Sequence, residues 1–149
     1  MAKARKENLN ELLVTLFNSI MTTEAEAVIT EEFKDITDND MHIIEAVGVD
    51  EPRKMSDVAK RLGVTVGTLT TNVSALEKKQ YAIRERSEKD KRVVYVVLTE
   101  KGKKAYFHHR DFHKKMIRAV VSEFNRDEQE ILMRCLSKLN DFFVNYEKS

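Results

Sequence analysis

Several residue types are scarce in this 149-residue sequence, and each scarcity excludes a class of protein. The single cysteine, Cys135, excludes an intramolecular disulfide and a multi-cysteine zinc cluster. Four glycines and one proline argue against long irregular loops and multi-stranded barrels. No apolar run is long enough to cross a bilayer, and the charged start MAKARKENLN is unlike a secretory signal. We therefore expect a cytoplasmic protein that does not associate with membranes.

The charged residues, 34% of the chain, are unevenly distributed. The net charge is only +1, but residues 78–118 carry 14 basic and 5 acidic side chains. Residues 1–77 carry 8 basic and 14 acidic ones, and residues 119–149 carry 4 and 6. A basic centre between acidic ends is typical of a surface that contacts phosphates, although a solvated charged hairpin has the same composition.

The spacing of apolar residues predicts a mainly α fold with one small β-hairpin. Apolar side chains recur at three- and four-residue steps in six segments. The only strongly β-branched run, residues 93–98, follows the charged segment 87–91, which predicts a hairpin with a charged tip. The predicted elements are a helix at 8–31, a helix from Thr37 or Asp38 to Gly48, a turn at 51–53, a helix capped by Ser56 and ended by Gly63, a helix capped by Thr65, the hairpin, a helix at about 101–122 capped by Thr99, and a helix from Asp127.

Two short helices joined at Gly63 and followed by a charged hairpin indicate a winged helix-turn-helix. Leu69, Val73 and Leu76 form the inward stripe of the second helix, so its other face carries hydroxyls, an amide and Ala75. Such a face suits a DNA major groove, although small polar residues are also tolerated on any exposed helix. The residues that we expect at the DNA from this motif are Ser56, Thr65, Gly67, Thr68, Thr70, Thr71 and Asn72.

The hairpin supplies a second set of candidate DNA contacts. An arginine at its tip can enter a narrow minor groove. Asp90, two residues before Arg92, is placed to hold that guanidinium by a charge-assisted hydrogen bond. The candidate contacts in the hairpin are Arg84, Arg86, Lys89, Asp90, Lys91 and Arg92.

Residues 90–102, DKRVVYVVLTEKG, resemble the wing signature of the MarR family of regulators, D-x-R followed by a strand and L-T-x-x-G. The helices on both sides resemble that family's plan along the whole chain, except that Gln80 stands where the family usually has glycine. The resemblance implies that Arg92 is the minor-groove arginine and that the threonines and Asn72 lie in or beside the major groove. It also implies a homodimer on a palindromic operator. The implied segments are 1–36, an N-terminal dimerisation helix, 37–100, the winged helix-turn-helix, and 101–149, the C-terminal dimerisation helices.

Four segments further resemble the branch of this family that represses fatty-acid-synthesis genes, the FabT type: FKDI at 33–36, DMHIIEAVG at 40–48, VTVGTLTT at 64–71 and FHKKM at 112–116. The resemblance implies a long-chain acyl group on acyl carrier protein as co-repressor, with no other cofactor. Such a system needs an apolar tunnel and a basic site for the acidic carrier. Candidates for the tunnel are Phe17, Ile20, Met21, Met41, Ile44 and Met116, for which plain core packing is the alternative. Candidates for the carrier site are Lys103, Lys104, Arg110, Lys114, Lys115 and Arg118, for which a solvated helix face is the alternative.

Three other functions have weaker support in the sequence. A zinc sensor is the main one, because His109 and His113 are four residues apart on one helical face, and Glu24 and His42 can approach them through the fold. In that interpretation these four residues are the metal ligands; in the principal one there is no metal. A redox sensor is disfavoured because Cys135 lies on an apolar stripe, where a cysteine is normally buried. An enzyme is disfavoured because the phosphate-loop, nucleophile-elbow and H-E-x-x-H motifs are absent from the sequence.

Overall fold

The computed structural model describes the backbone of residues 2–146 and the side chains of residues 8–146. The mainly helical fold with a small antiparallel sheet confirms the predicted fold class. The chain divides into two compact units, one that runs to Arg110 and one that begins at Asp111, inside the fifth helix. The elements are α1 Ala2–Val28, α2 Asp38–Val47, β1 Arg53–Lys54, α3 Met55–Leu62, α4 Val66–Lys78, β2 Ala82–Arg86, β3 Val94–Leu98, α5 Glu100–Ser122 and α6 Arg126–Tyr146.

Local capping explains most of the helix ends. Thr37 and Asp40 form a capping box at the start of α2, in which each side chain accepts a hydrogen bond from the other residue's backbone N–H. Gly63 ends α3 in the left-handed conformation. The Thr65 hydroxyl accepts from the Thr68 N–H, and the Thr99 hydroxyl accepts from the Gly102 N–H. The predicted caps at Thr37, Thr65 and Thr99 are therefore confirmed.

The prediction for the first helix was wrong at its ends, because α1 begins at Ala2 and stops at Val28 rather than at residue 31. A turn replaces the last predicted residues: the Phe33 N–H donates to the Thr30 carbonyl at 3.2 Å. This turn carries Phe33 and Ile36 into the core, where both are 3% exposed. Burying these two side chains outweighs continuing the helix.

The predicted turn at 51–53 and the Ser56 cap were also wrong. Arg53 and Lys54 form a short strand that pairs with Val96 and Tyr95 of β3. The chain passes directly from this strand into α3, so Lys54 occupies the cap position without a side-chain hydrogen bond. Ser56 therefore lies in the first turn of the helix and is exposed.

The sheet has three antiparallel strands in the order β1-β3-β2. β2 and β3 form the predicted hairpin, with Ala82 opposite Leu98 and Arg86 opposite Val94. The tip is closed where the Ser87 N–H donates to the Val93 carbonyl at 2.9 Å. The third strand, β1, joins the hairpin to α3, so the hairpin is attached to the helix-turn-helix along an edge.

The core of the first unit lies where α2, α3, α4 and the sheet meet. Leu69, Val73 and Leu76, the predicted inward stripe of α4, are fully buried, as are Ile44 and Tyr81. Each such side chain stabilises the fold by about 1.5–3 kcal/mol. The start of α5 packs equally closely, since a Cβ on Gly102 would overlap the Tyr81 carbonyl. This close approach gives a physical reason for the glycine of the L-T-x-x-G motif.

The second unit contains the rest of α5 and α6. Asn125 caps α6, because its side chain accepts from the Glu128 N–H at 3.0 Å while Glu128 accepts from the Asn125 N–H at 2.9 Å. Along its described length α6 has no buried residue, and Phe142 and Phe143 are about 60% exposed. Cys135 is exposed as well, which corrects the expectation of a buried cysteine. Within residues 2–146, no helix has the length and hydropathy that a membrane span requires.

Candidate DNA-binding surface

The helix α4 presents a polar face because its apolar stripe is buried in the core. Thr65, Thr68 and Thr71 are exposed, and Thr70 and Asn72 are half-buried. Gly67 is exposed too, and a Cβ there would meet only the Thr65 hydroxyl at 3.9 Å. The chain's own packing therefore does not require a glycine at this position. Its small size leaves the first turn of α4 open to close approach by a ligand.

Three hydroxyl groups of α4 donate their hydrogens to carbonyls of the same helix. Thr70 donates to the Val66 carbonyl at 2.8 Å, and Ser74 donates to the Thr70 carbonyl at 2.9 Å. Thr71 donates to the Gly67 carbonyl at 3.3 Å. What these residues offer to a ligand is therefore lone pairs and methyl groups. Lone pairs suit the amino groups of adenine and cytosine, and methyl groups suit the methyl of thymine.

The wing tip carries a pre-oriented arginine. The Arg92 side chain is 91% exposed, and its Nε donates to Asp90 Oδ1 at 3.2 Å. Its backbone N–H donates to the same oxygen at 3.1 Å. Hydrogen bonds from Arg92 lower the pKa of Asp90 below its ordinary value. The structure thus brings Asp90 and Arg92 together as the sequence predicted, and leaves Arg86, Lys89 and Lys91 exposed beside them.

Arg84 differs from the other basic residues of the hairpin. Its guanidinium donates to both carboxylate oxygens of Glu77 on α4, at 2.7 and 3.2 Å. The basic residues of the hairpin predict Arg84 as a direct DNA contact, and nothing in the sequence points to its partner Glu77. An acid seven residues earlier on a preceding helix gives no sequence signal, because the pairing depends on how the helix and the strand pack.

An open groove of about 380 Å³ lies between α3, α4 and the hairpin. It brings together predicted DNA contacts from all three elements, and adds Lys54 at the start of α3. The polar and charged residues that line it are Lys54, Ser56, Thr70, Arg84 and Arg92. The predicted residues among them, Ser56, Thr70, Arg84 and Arg92, therefore share one face of the first unit.

The residues predicted to form an apolar tunnel occupy different environments. Met41 and Ile44 are buried in the core, with 2% and 0% exposure. Phe17, Ile20 and Met21 are exposed on α1. Met116 is half-buried and belongs to the second unit. Plain core packing accounts for Met41 and Ile44 within this chain, whereas the three residues of α1 present an apolar surface.

The predicted carrier-binding residues all lie on α5. In the first unit, Lys103 pairs with Glu100 at 3.2 Å, Lys104 lies 3.8 Å from Glu32, and the Arg110 guanidinium stacks on the Phe107 ring. In the second unit, three more basic side chains are exposed: Lys114, Lys115 and Arg118.

One candidate metal ligand of the first unit, His109, is buried and lies close to two carboxylates. His109 is 4% exposed, and its Nε2 lies 3.1 Å from a Glu45 oxygen and 3.6 Å from a Glu24 oxygen. His42 is half-exposed, and its ring nitrogens lie 3.5 Å from Asp38 Oδ2 and 4.0 Å from the other Glu45 oxygen. Glu45 is not among the predicted ligands, although it lies three residues after His42 on the same helix. His113 belongs to the second unit.

The two short helices α3 and α4, joined at Gly63 and followed by the hairpin, define a winged helix-turn-helix protein. A profile of the MarR family matches residues 34–93. The solved structure of Streptococcus pneumoniae FabT in complex with DNA is 35% identical to this chain, covers 93% of it and 97% of the FabT chain, and superposes with a TM-score of 0.87.

Two curated relatives are named transcriptional regulators. Staphylococcus epidermidis SarZ is 31% identical over 108 residues, 72% of this chain and 70% of the relative. Bacillus subtilis YkoM, an uncharacterised regulator, is 31% identical over 96 residues, and the match spans 64% of this chain and 62% of that protein's length. The chain belongs to the MarR family. Its homologues are transcriptional regulators rather than enzymes.

Proposed function

We propose that this protein is a DNA-binding transcriptional repressor that acts as a homodimer in the cytoplasm. The observation that carries the proposal is the likeness to FabT bound to DNA, which extends over almost the whole of both chains. The exposed face of α4 and the outward Arg92 are the groups that such a protein brings to DNA. In this proposal α4 enters the major groove and Arg92 enters the adjacent minor groove.

The dimer is part of the same proposal. Apolar side chains of α1 and α6, such as Leu12 and Phe143, are more than half exposed in the single chain. Burying these faces against a second copy removes a large apolar area from water. Two-fold symmetry then presents two α4 helices to successive major grooves, about 34 Å apart, on a palindrome.

We further propose that the regulated genes are those of fatty-acid synthesis and that long-chain acyl-acyl carrier protein is the co-repressor. The resemblance of residues 33–36, 40–48, 64–71 and 112–116 to the FabT type supports this. The exposed basic residues of α5 offer a surface for an acidic carrier, and the exposed apolar residues of α1 offer a surface for an acyl chain. The ligand acts by binding more tightly to the dimer spacing that fits DNA.

The decisive experiment is fluorescence anisotropy with a duplex from the fatty-acid-synthesis promoter of the same genome. Affinity is measured with long-chain acyl carrier protein, with the unacylated carrier and with neither. Tighter binding with the acylated carrier alone supports the lipid-responsive repressor. Binding that is unaffected by the acyl chain contradicts the co-repressor and leaves the DNA-binding function standing, whereas no binding to promoter DNA contradicts the whole proposal.

A charge-reversal variant tests the proposed binding site for acyl carrier protein. Replacing Lys114 and Lys115 with glutamate reverses charge on α5 without touching α4 or the hairpin. We expect operator affinity without the carrier to change less than about threefold and the response to acylated carrier to be lost. Lys138→Glu on α6 is the control for added negative charge. A response of normal size in the double variant removes these lysines from the carrier site.

A metal-responsive regulator is a second candidate. The observation that favours it is the buried His109 with two carboxylates within 4 Å, since histidine and carboxylate are zinc ligands. The test is a zinc titration of the chelator-treated protein, followed by operator binding. Binding of one zinc per chain that alters operator affinity, and its loss in His109→Ala, supports this candidate; unaltered affinity contradicts it.

A further inference from the structure

One ion pair joins the two elements that the proposed DNA-binding function brings to DNA. Glu77 lies in the last turns of α4, and Arg84 lies in β2. The Glu77 carboxylate accepts from the Arg84 backbone N–H at 2.8 Å, from its Nε at 3.2 Å and from its Nη2 at 2.7 Å. A carboxylate held by three donors of one residue is fixed in direction as well as in position.

The contact continues along α4. Arg84 Nη2 also donates to the Ser74 hydroxyl at 2.9 Å, and that hydroxyl donates to the Thr70 carbonyl at 2.9 Å. Arg84 therefore bridges two successive turns of the helix from the side of the hairpin. Both charged side chains are less than 30% exposed. The hydrogen bonds from Arg84 lower the pKa of Glu77, and those to Glu77 raise the pKa of Arg84, so the pair stays charged at neutral pH.

This environment distinguishes Arg84 from Arg86, two residues further along the same strand, whose side chain is exposed. An arginine that contacts phosphate must offer free donors, whereas three of the five guanidinium N–H donors of Arg84, those on Nε and Nη2, are directed at Glu77 and Ser74. The hairpin is also short, with five residues in each strand, so its orientation depends on what holds its base.

We propose that Glu77 and Arg84 are positioning residues for DNA binding. The pair, with Ser74, is a brace that holds the hairpin at a set distance from α4, so that Arg92 and the polar face of α4 engage adjacent grooves without rearrangement. A hairpin held in advance loses less entropy on binding. The proposal rests on the DNA-binding function proposed above and adds that one basic residue of the wing acts through α4 rather than on phosphate.

Glu77→Ala tests the brace because the loss of a negative charge and the loss of the ion pair should change DNA affinity in opposite directions. Removing an acid near DNA strengthens binding if only long-range electrostatics matters. If the brace matters, freeing the hairpin weakens binding by about tenfold. Glu85→Ala, an exposed acid on the same strand, is the matched control and follows the electrostatic expectation. Glu77→Gln, which keeps one carbonyl acceptor, gives an intermediate loss.

Salt dependence tests Arg84 itself. The probe is a duplex of about 30 base pairs, long enough for two half-sites, selected from a random pool by the wild-type protein. Arg84→Gln weakens binding but leaves the slope of log affinity against log salt unchanged. The control is Arg86→Gln, which reduces that slope by about one per subunit if Arg86 contacts phosphate. Circular dichroism melting checks that each variant is folded.

Two results overturn the brace: unchanged or tighter binding by folded Glu77→Ala, or a slope that falls in Arg84→Gln by about one per subunit. Failure of the brace can be distinguished from failure of the proposed DNA-binding function. If the DNA-binding function is wrong, the wild-type protein itself selects no duplex.

Discussion

At the scale of single residues, the surface depends on how each side chain is held. Arg92 and Arg84 are both arginines of the hairpin, yet one is 91% exposed and the other 28%. Arg92 is oriented by its neighbour Asp90, whereas Arg84 is oriented by Glu77 of another element. Because orientation determines which donors remain available, residues of one type take different roles.

The exposed arginine carries the first prediction. Arg92→Ala should weaken operator binding by about 1–3 kcal/mol per subunit, because a minor-groove contact is lost. The unfolding free energy should change by less than about 0.5 kcal/mol, since the side chain is solvated. Anisotropy and urea unfolding measure the two quantities, and Arg134→Ala on α6 is the control. Normal operator affinity in Arg92→Ala would remove this residue from the interface.

Gln80 carries the second prediction. It follows α4 with φ of 68°, in the left-handed region where a Cβ is strained. Gln80→Gly should raise the unfolding free energy by about 0.5 kcal/mol, the relief of strain being partly offset by the greater freedom of glycine in the unfolded chain. Gln80→Ala, which keeps the Cβ, should change it little. A destabilised Gln80→Gly would mean that the glutamine side chain contributes more than the strain costs.

At the scale of elements, polar contacts attach the end of α4 to its neighbours. The Tyr81 hydroxyl donates to Asp35 at 2.7 Å in the segment before α2, and Lys79 lies 2.6 Å from Asp40 in α2. The Thr99 hydroxyl before α5 donates to the Gln80 carbonyl at 2.6 Å. Since α4 carries the polar face and α5 carries the basic residues, these contacts join the two candidate surfaces within the first unit.

The third prediction concerns the Tyr81–Asp35 hydrogen bond and the pH dependence of the unfolding free energy. The hydrogen bond from Tyr81 lowers the pKa of Asp35, so the folded state favours the carboxylate. That stabilisation is present above the ordinary pKa of aspartate and is lost as the pH falls through the lowered value. Tyr81→Phe should therefore reduce the unfolding free energy by about 1 kcal/mol at pH 7 and make its decrease below about pH 4 shallower. Urea unfolding at several pH values measures both effects, with Tyr106→Phe as control. An unchanged pH profile would show that Asp35 does not depend on this bond.

At the scale of the whole molecule, apolar residues are divided between two roles. Those of α2, α3, α4 and the sheet are buried and form a core, whereas those of α1 and α6 are largely exposed in the single chain. Exposed apolar helices of this extent are typical of subunits that associate. The proposed dimer therefore depends on a different set of residues from the fold of the first unit.

The fourth prediction separates these roles. Phe143→Glu places a charge on an exposed apolar position of α6 and should raise the dimer dissociation constant by about 30-fold or more. Operator affinity should fall with it, because two half-sites are then bound independently. Sedimentation velocity measures the dimer, and Lys138→Glu on the same helix controls for charge. A dimer as tight as the wild type's would exclude this face of α6 from the interface.

What the sequence determined by itself is the order of the elements and most of their ends. Thr37, Gly48, Gly63 and Thr65 act on backbone groups within a few residues of themselves, so their effect can be predicted without knowing the fold. The same holds for Asp90 and Arg92, which are two residues apart. The inward stripe of α4 follows from helical periodicity alone.

Only the tertiary structure decided the pairings between distant elements. The Glu77 contact of Arg84, the Glu45 contact of His109 and the pairing of β1 with β3 each join elements whose approach depends on packing. The exposure of Cys135 has the same origin, because an apolar stripe shows that a helix needs cover but not whether its own chain supplies it. Local hydrogen bonds and periodicity are encoded in neighbouring residues, whereas burial and ion pairing between elements depend on the three-dimensional arrangement of the chain.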